Sequence, residues 1–447
     1  MSGPKVVRIV TREEVLAICE GHLRRLDQAI VAWAAAGQRI GELSAEEIAA
    51  ARDRQRGLAA LIATDAFTEL QKKVTDEITF LKDDVIRRQA IAIDKAEQLV
   101  KRRRQGRDSA ATLLAALKSK GVEPPQDLVS KLALVASGAE VLDADVLLAR
   151  GFGLLVPETS REISVAQMEL AGRLLGGERT QDFGEWKVAN MSPMHNPLIN
   201  RVDRQIAEAQ VLLDESGVAT FAEKLRLIEG DVNESRRNLL LDSLILDLAS
   251  AVKTSRAHNA AIEELHELAS EMSADASAGA KALVGKIREC GPATTLNEIR
   301  QLTAECRELI AREQDRKAAQ ARRDVILNGL ARLGYEVNEG MQTAWARDGR
   351  VIVKNPSVPD YGVELGGHTQ TGRLQVRAVA LTKNHDTSRD QDVETLWCGD
   401  FGKLQELLVT KGDTLLVERA IGVGEVPLKM IGDGNTEVTA TDKGRVL

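Results

Sequence analysis

The sequence predicts a mainly α protein. An extended helical and coiled-coil region, with long antiparallel helices and an irregular helical middle, is followed by a small C-terminal α+β module of order α-β-β-β-β-α. Three observations predict this class. Aromatic residues make up only 3% of the 447-residue chain, while Ala and Leu dominate together with Glu, Lys, Arg and Gln, as in long helices. Only 10 prolines occur, so there are long stretches in which a helix need not stop. The pattern then changes at residues 348–367, DGRVIVKNPSVPDYGVELGG, where β-branched runs broken by Pro and Gly replace the helical periodicity.

Residues 1–43 read as an N-terminal arm and helix. KVVRIV at 5–10 suits a short strand or an extended arm, and Thr11 followed by Glu14 has capping-box spacing for a helix reaching about Gly37. Residues 44–120 read as a long amphipathic helix or coiled coil. Ser44 and Glu47 frame its start. Phe67, Leu70, Val74, Ile78, Leu81 and Val85 then fall three or four apart, with Lys72, Lys73, Asp76, Glu77, Lys82 and Asp83 off the stripe. A single helix from Ser44 to about Gly106 would be ~90 Å long, more than a compact domain needs.

Residues 121–200 form the irregular helical middle. GVEPPQD at 121–127 stops the preceding helix, and short helices are expected at 126–137, 140–150 and 163–175. Residues 201–320 return to long helices, with breaks near 216–217, 229–230, 273–277 and 291–294. Leu241, Ile245, Leu248 and Val252 make a heptad-like stripe that resumes at Ile262 and Ala269. The amphipathic stretches 58–100 and 231–273 flank the middle and invite an antiparallel pairing, within one chain or between two.

Residues 321–430 form the α+β module. Val325, Ile326, Leu330 and Leu333 give a helical face that Gly334 closes as a C′ residue. Four strands are expected at QTAWARDG, RVIVKNP, YGVELGG and GRLQVRAVAL. Asp348-Gly349 would turn the first pair and TQTG at 369–372 the last. DVETLWCGDFGKLQELLVTKGDTLLVERA at 392–420 then reads as helix, and 431–447 as a flexible tail.

Composition narrows the function classes. A net charge of −7 with 28% charged residues gives no general affinity for nucleic acid. The four cysteines are scattered with no CxxC, which argues against a disulfide framework and for the cytoplasm. MSGPKVVRIVTREE has no apolar signal region, and LLLDSLILDLASAV is interrupted by Asp242 and Asp247, so no membrane span is expected.

No catalytic, cofactor-binding or metal-binding residue is expected. GAKALVGK at 279–286 lacks P-loop spacing, and Ile287 stands where Ser or Thr is required. No two histidines are spaced i, i+4 for a shared metal. Asp386, Asp390, Asp392 and Glu394 suit the positive first turn of a helix better than a cation site. An enzymatic reading would place Cys398 near His368 or His385, but a cysteine beside Trp397 suits a packed interior better.

Two stretches suit binding. Lys101, Arg102, Arg103, Arg104 and Arg107 in KRRRQGR could grip phosphates or an acidic partner; without interleaved aromatics, base stacking is unsupported and a protein partner is favoured. Pro356, Pro359 and Tyr361 form a stiff loop that either docks a partner or simply joins two hairpins. The function expected is therefore a non-enzymatic coiled-coil scaffold or adaptor of the cytoplasm. It would oligomerise, use no cofactor, and dock partner proteins through the C-terminal module. The alternative is a nucleic-acid-associated accessory subunit of a bacterial maintenance or defence assembly.

Overall fold

The structure, a computed structural model, describes residues 3–139, 141–155, 197–213, 215–275, 277–367, 369–383 and 385–431. The chain forms two compact units: Met1–Ala35, Ser44–Lys82 and Ala261–Leu447 in the first, Ala36–Leu43 and Asp83–Ala260 in the second. Long helices dominate both. In chain order the helical half comprises α1 (Arg12–Ile40), α2 (Ala45–Ala59), α3 (Phe67–Ser119), α4 (Gln126–Ala136), α5 (Ala144–Gly153), α6 (Pro197–Leu212), α7 (Glu215–Glu229), α8 (Glu234–Met272), α9 (Ala278–Arg288) and α10 (Leu296–Arg332).

The helix starts follow their caps. Thr11 Oγ1 accepts from Glu14 N at 3.2 Å, and Ser44 with Glu47 closes a complete capping box. The helical pattern expected from Ser44 to about Gly106 is two helices, the second of which continues past Gly106 to Ser119. A 3-10 turn at Ala60–Thr64 separates α2 from α3, and Asp65 takes the left-handed conformation at φ 54°. Arg12 pairs with that Asp65 carboxylate at 2.7 Å on the surface. Nothing in the periodicity of 44–106 announces the stop. The helix expected at 163–175 lies outside the described residues, as does most of the tail.

The C-terminal module differs from expectation at both ends of its strand set. QTAWARDG is helix α11 (Met341–Asp348), with Trp345 buried and Gly349 as its left-handed C-cap at φ 68°. Asp-Gly serves a hairpin and a helix stop equally well, because both need a positive φ at the glycine. Strands β2 (Arg350–Lys354), β3 (Tyr361–Gly366) and β4 (Arg373–Ala380) follow, then α12 (Asp390–Val409). The expected continuation of α12 to 420 is instead strand β5 (Thr414–Ala420), because Gly412 at φ 81° turns the chain back; a two-residue β6 (Lys429–Met430) comes last.

KVVRIV is the strand β1 (Lys5–Val10), and it belongs to this C-terminal sheet. The order is β2-β3-β4-β1-β5, all antiparallel, with β6 parallel beside the end of β4. Alternation puts Val7 and Ile9 on the same face as Val353, Val363, Leu365, Leu374 and Val376. α10 and α12 cover that face with Ile326, Leu330, Trp397, Phe401 and Leu404. Gly329 lets them approach, since a Cβ there would overlap Leu404. Arg322 of α10 ties the module to α1: it pairs with Glu14 and donates to the carbonyls of Thr369 at 2.6 Å and Gln370 at 2.7 Å.

The remainder of the first unit packs α8, α9 and α10 through Leu265, Leu268, Leu283, Ile287, Ile299 and Cys306. Glu267, with only 3% of its side chain exposed, accepts from Arg25 of α1 and Lys82 of α3. In the second unit the stripe Leu241, Ile245, Leu248 and Val252 of α8 shares a core with Ile93 of α3 and with Val202 and Ile206 of α6. The amphipathic stretches therefore meet within one chain, in a core to which α6 also contributes. A separate cluster joins the end of α3 to α4 through Leu113, Leu117, Leu128 and Leu132.

Candidate partner-docking site

A recess of about 300 Å³ opens in the C-terminal module between β3 and α12. Its floor is apolar, built from Val363, Ala378, Val393 and Trp397. One wall is the turn after α10, where Gly334 at φ 90° ends the helix and aims Tyr335 inward. The other is the loop after β2, with Asn355, Ser357 and Val358.

That loop is stiff for local reasons. Pro356 and Pro359 fix φ at two of its positions. Asn355 Oδ1 accepts from Ser357 N at 3.0 Å, an Asx turn, and Asn355 O accepts from Val358 N at 2.9 Å. Tyr361 then anchors it. The ring is 3% exposed, and its hydroxyl lies 2.8 Å from Asp386 O and 3.0 Å from Asp390 Oδ1, donating to one of them. Burial and the neighbouring Asp390 push the phenol up to about 12, so it keeps its proton. His385 stacks edge-on against Tyr361 at 5.5 Å. Its Nε2 comes within 3.2 Å of Asp390 Oδ1 without hydrogen-bond alignment.

The polar end of the recess is Tyr335 and Asp400. The Tyr335 hydroxyl donates to Asp400 Oδ2 at 3.0 Å, and burial followed by the Asp400 charge raises the phenol well above its ordinary value. Lys403 stands 3.1 Å from the other oxygen of Asp400. Trp397 packs edge-on against Tyr335 and Phe401, and its Nε1 is buried with no hydrogen-bond partner. An unused buried donor is costly unless something satisfies it. The arrangement suits an apolar side chain, and both phenols stay protonated near neutrality.

Of the expected loop residues only Tyr361 lines this recess, and Pro356 and Pro359 belong to the loop that walls it. Tyr361 is interior and props the loop; Ser357 and Val358 face the opening. Tyr335, Trp397 and Asp400 were not singled out for binding. The signal that could have found them is scarcity: both tyrosines and two of the four tryptophans of this aromatic-poor chain fall in the one module. Replacing Tyr361 by Phe is expected to cost about 1–2 kcal/mol, since Asp390 and the Asp386 carbonyl lose a buried donor, and to speed proteolysis within 355–360. Unchanged melting and cleavage would show that the loop is held otherwise.

The basic run lies elsewhere, on α3 in the second unit. Lys101 pairs with Glu97 at 2.6 Å, Arg104 with Asp203 at 2.6 Å and with Glu229, and Arg107 with Glu229 at 2.6 Å. Arg102 and Arg103 are on the surface. Of the residues of the enzymatic reading, His368 lies outside the described residues, His385 supports Tyr361, and Cys398 Sγ accepts from Lys5 Nζ of β1 at 3.6 Å. Among the described residues, no group of three or more His, Cys, Asp or Glu side chains could hold a metal ion, and no helix is long and apolar enough to cross a membrane. No family model, curated protein or solved structure matches the chain.

Proposed function

We propose that this chain is a non-enzymatic helical scaffold or adaptor of the cytoplasm that oligomerises and docks a partner protein through its C-terminal module. The partner inserts one aliphatic or aromatic side chain into the recess. The observation that carries this reading is the recess itself: an apolar floor and a stiff rim. The four cysteines, none in a disulfide, accord with a reducing compartment.

Peptide display on the full chain tests it. Selected peptides are expected to share a bulky apolar anchor and to bind with Kd in the micromolar range, about −8 kcal/mol. Leu396 lines the opening and is 57% exposed. Leu396→Glu is therefore expected to weaken binding at least ~10-fold while changing stability by less than ~0.5 kcal/mol. Selected peptides that bind Leu396→Glu as well as the parent would place docking elsewhere.

A further inference from the structure

The sheet has a second face, turned away from α10 and α12, and its charge is unlike that of the whole chain. Register puts Arg8 of β1, Arg350 and Lys354 of β2, Arg373 and Arg377 of β4, and Arg419 of β5 on this face. Lys429 of β6 reaches onto it to Glu364 of β3 at 2.8 Å. Against these seven cations stand two carboxylates. Glu364 is shared by Arg377 at 2.6 Å, by Lys429, and by Arg350 at 3.8 Å. Glu418 pairs with Arg373 at 2.6 Å. The local excess is five positive charges, on a chain whose net charge is −7.

Three of these cations are unpaired, on β1 and at the two edges of the sheet. Arg8, Arg419 and Lys354 have no carboxylate partner among the described residues, and all three are exposed. Arg8 lies directly opposite Arg373 in the β1–β4 register. Like charges facing each other across a sheet are destabilising; Glu418 offsets Arg373, which leaves the Arg8 charge beside it unpaired. Carboxylates do lie beyond the β2 edge, where Glu336, Glu339 and Asp348 line a groove with α11. The field is therefore strongest from β4 to β5.

Magnitudes choose the partner. Four strand intervals of ~4.8 Å give the face a width of about 19 Å. An extended peptide crossing it places about six residues there and turns about three of them toward the sheet. A nucleic-acid duplex of the same length carries about eleven phosphates, roughly half of them facing. The duplex offers more facing charges than the peptide, and so fits a face with several surplus cations better. The face bears no aromatic side chain among the described residues, so unpaired bases would find no stacking platform. Five of the seven cations are arginines, whose planar fork fits a phosphate with two hydrogen bonds.

We propose that the open face of the C-terminal sheet binds the phosphodiester backbone of duplex nucleic acid, without reading base sequence. This surface is separate from the recess and does not depend on the docking reading.

The test is fluorescence anisotropy of the full-length protein with a labelled random-sequence duplex, repeated across salt concentrations. With about five counterions released, affinity is expected to fall on the order of 10²- to 10³-fold between ~50 and ~200 mM salt. Arg8→Glu with Arg419→Glu is expected to weaken binding at least ~10-fold and to reduce the salt slope by about two. The neutral pair Arg8→Gln with Arg419→Gln gives a smaller loss of the same sign and guards against misfolding of the reversed pair. Arg102→Glu on α3 and Leu396→Glu at the recess are expected to leave duplex binding unchanged, so failure here is distinguishable from failure of the docking reading. The proposal is overturned if the duplex does not bind at low salt or if the Arg8 and Arg419 variants bind it normally. Equal loss from Arg102→Glu also overturns it. So does tighter binding of polyglutamate or of vesicles containing anionic phospholipid at matched salt.

Discussion

Deleting residues 1–10 is expected to unfold the C-terminal module, although the two are more than three hundred residues apart in sequence. β1 is the inner strand between β4 and β5, so its loss leaves two new edges and strips a ladder from each. Val7 and Ile9 are 0% exposed, and burying an aliphatic side chain contributes ~1.5–3 kcal/mol. With the unpaired backbone groups added, the loss is on the order of 5 kcal/mol or more, comparable to the whole stability of a typical domain. Trp345 and Trp397, 1% and 2% exposed, report on this core by fluorescence. The truncated chain is expected to show red-shifted emission and rapid proteolysis within 350–420, and a fragment of 321–431 alone is expected not to fold. A peptide spanning 3–11 added to that fragment should restore part of the native signal. Native emission from the truncated chain would mean that β4 and β5 pair without β1.

The same strand shows what local sequence carries and what it does not. KVVRIV is legible as a strand because Val7 and Ile9 alternate with Arg8, but nothing within six residues names a mate hundreds of positions away. Helices bounded by their own chemistry were legible: the capping box that starts one at Ser44 and the left-handed glycine that ends one at 334 are local devices. The break at Asp65 was not, because a non-glycine residue in the left-handed conformation leaves no mark on the apolar periodicity. QTAWARDG was ambiguous in kind, since Asp-Gly satisfies a hairpin and a C-cap alike. The loop holding Pro356 and Pro359 could be recognised as stiff from its residues. That it walls a recess with Tyr335 and Trp397 depends on the fold of α12 over β3. The basic sheet face was hidden more deeply still. Its cations come singly, one or two per strand, and only register gathers them, whereas KRRRQGR is conspicuous because its charges are contiguous.

Contiguity is a poor guide to what a charge does, and Arg104 makes the point measurable. Its side chain is 16% exposed, and Asp203 beside it is 2% exposed. Arg104→Met keeps most of the volume but leaves Asp203 buried without its cation. Breaking one partner of a buried pair costs ~3–5 kcal/mol, so a drop of that size in urea unfolding is expected. Arg102→Glu, two residues away on the surface, is expected to change stability by no more than ~0.5 kcal/mol. Acid titration adds a direction. Burial alone would raise Glu229, but Arg107 and Arg104 outweigh it and hold the carboxyl below its ordinary value. Its contribution is thus fully present above the ordinary Glu range near ~4.3 and is lost as pH falls through the lowered folded value. Glu229→Gln should flatten that part of the stability curve. The double variant Arg104→Met with Asp203→Leu decides what the pair is for. A well-packed apolar substitute for a buried ion pair is often neutral or stabilising, so recovery of most of the lost stability would show that the charges serve the fit of α3 against α6. Failure to recover would mean instead that Glu229, left facing Arg107 alone, is the group that Arg104 chiefly serves.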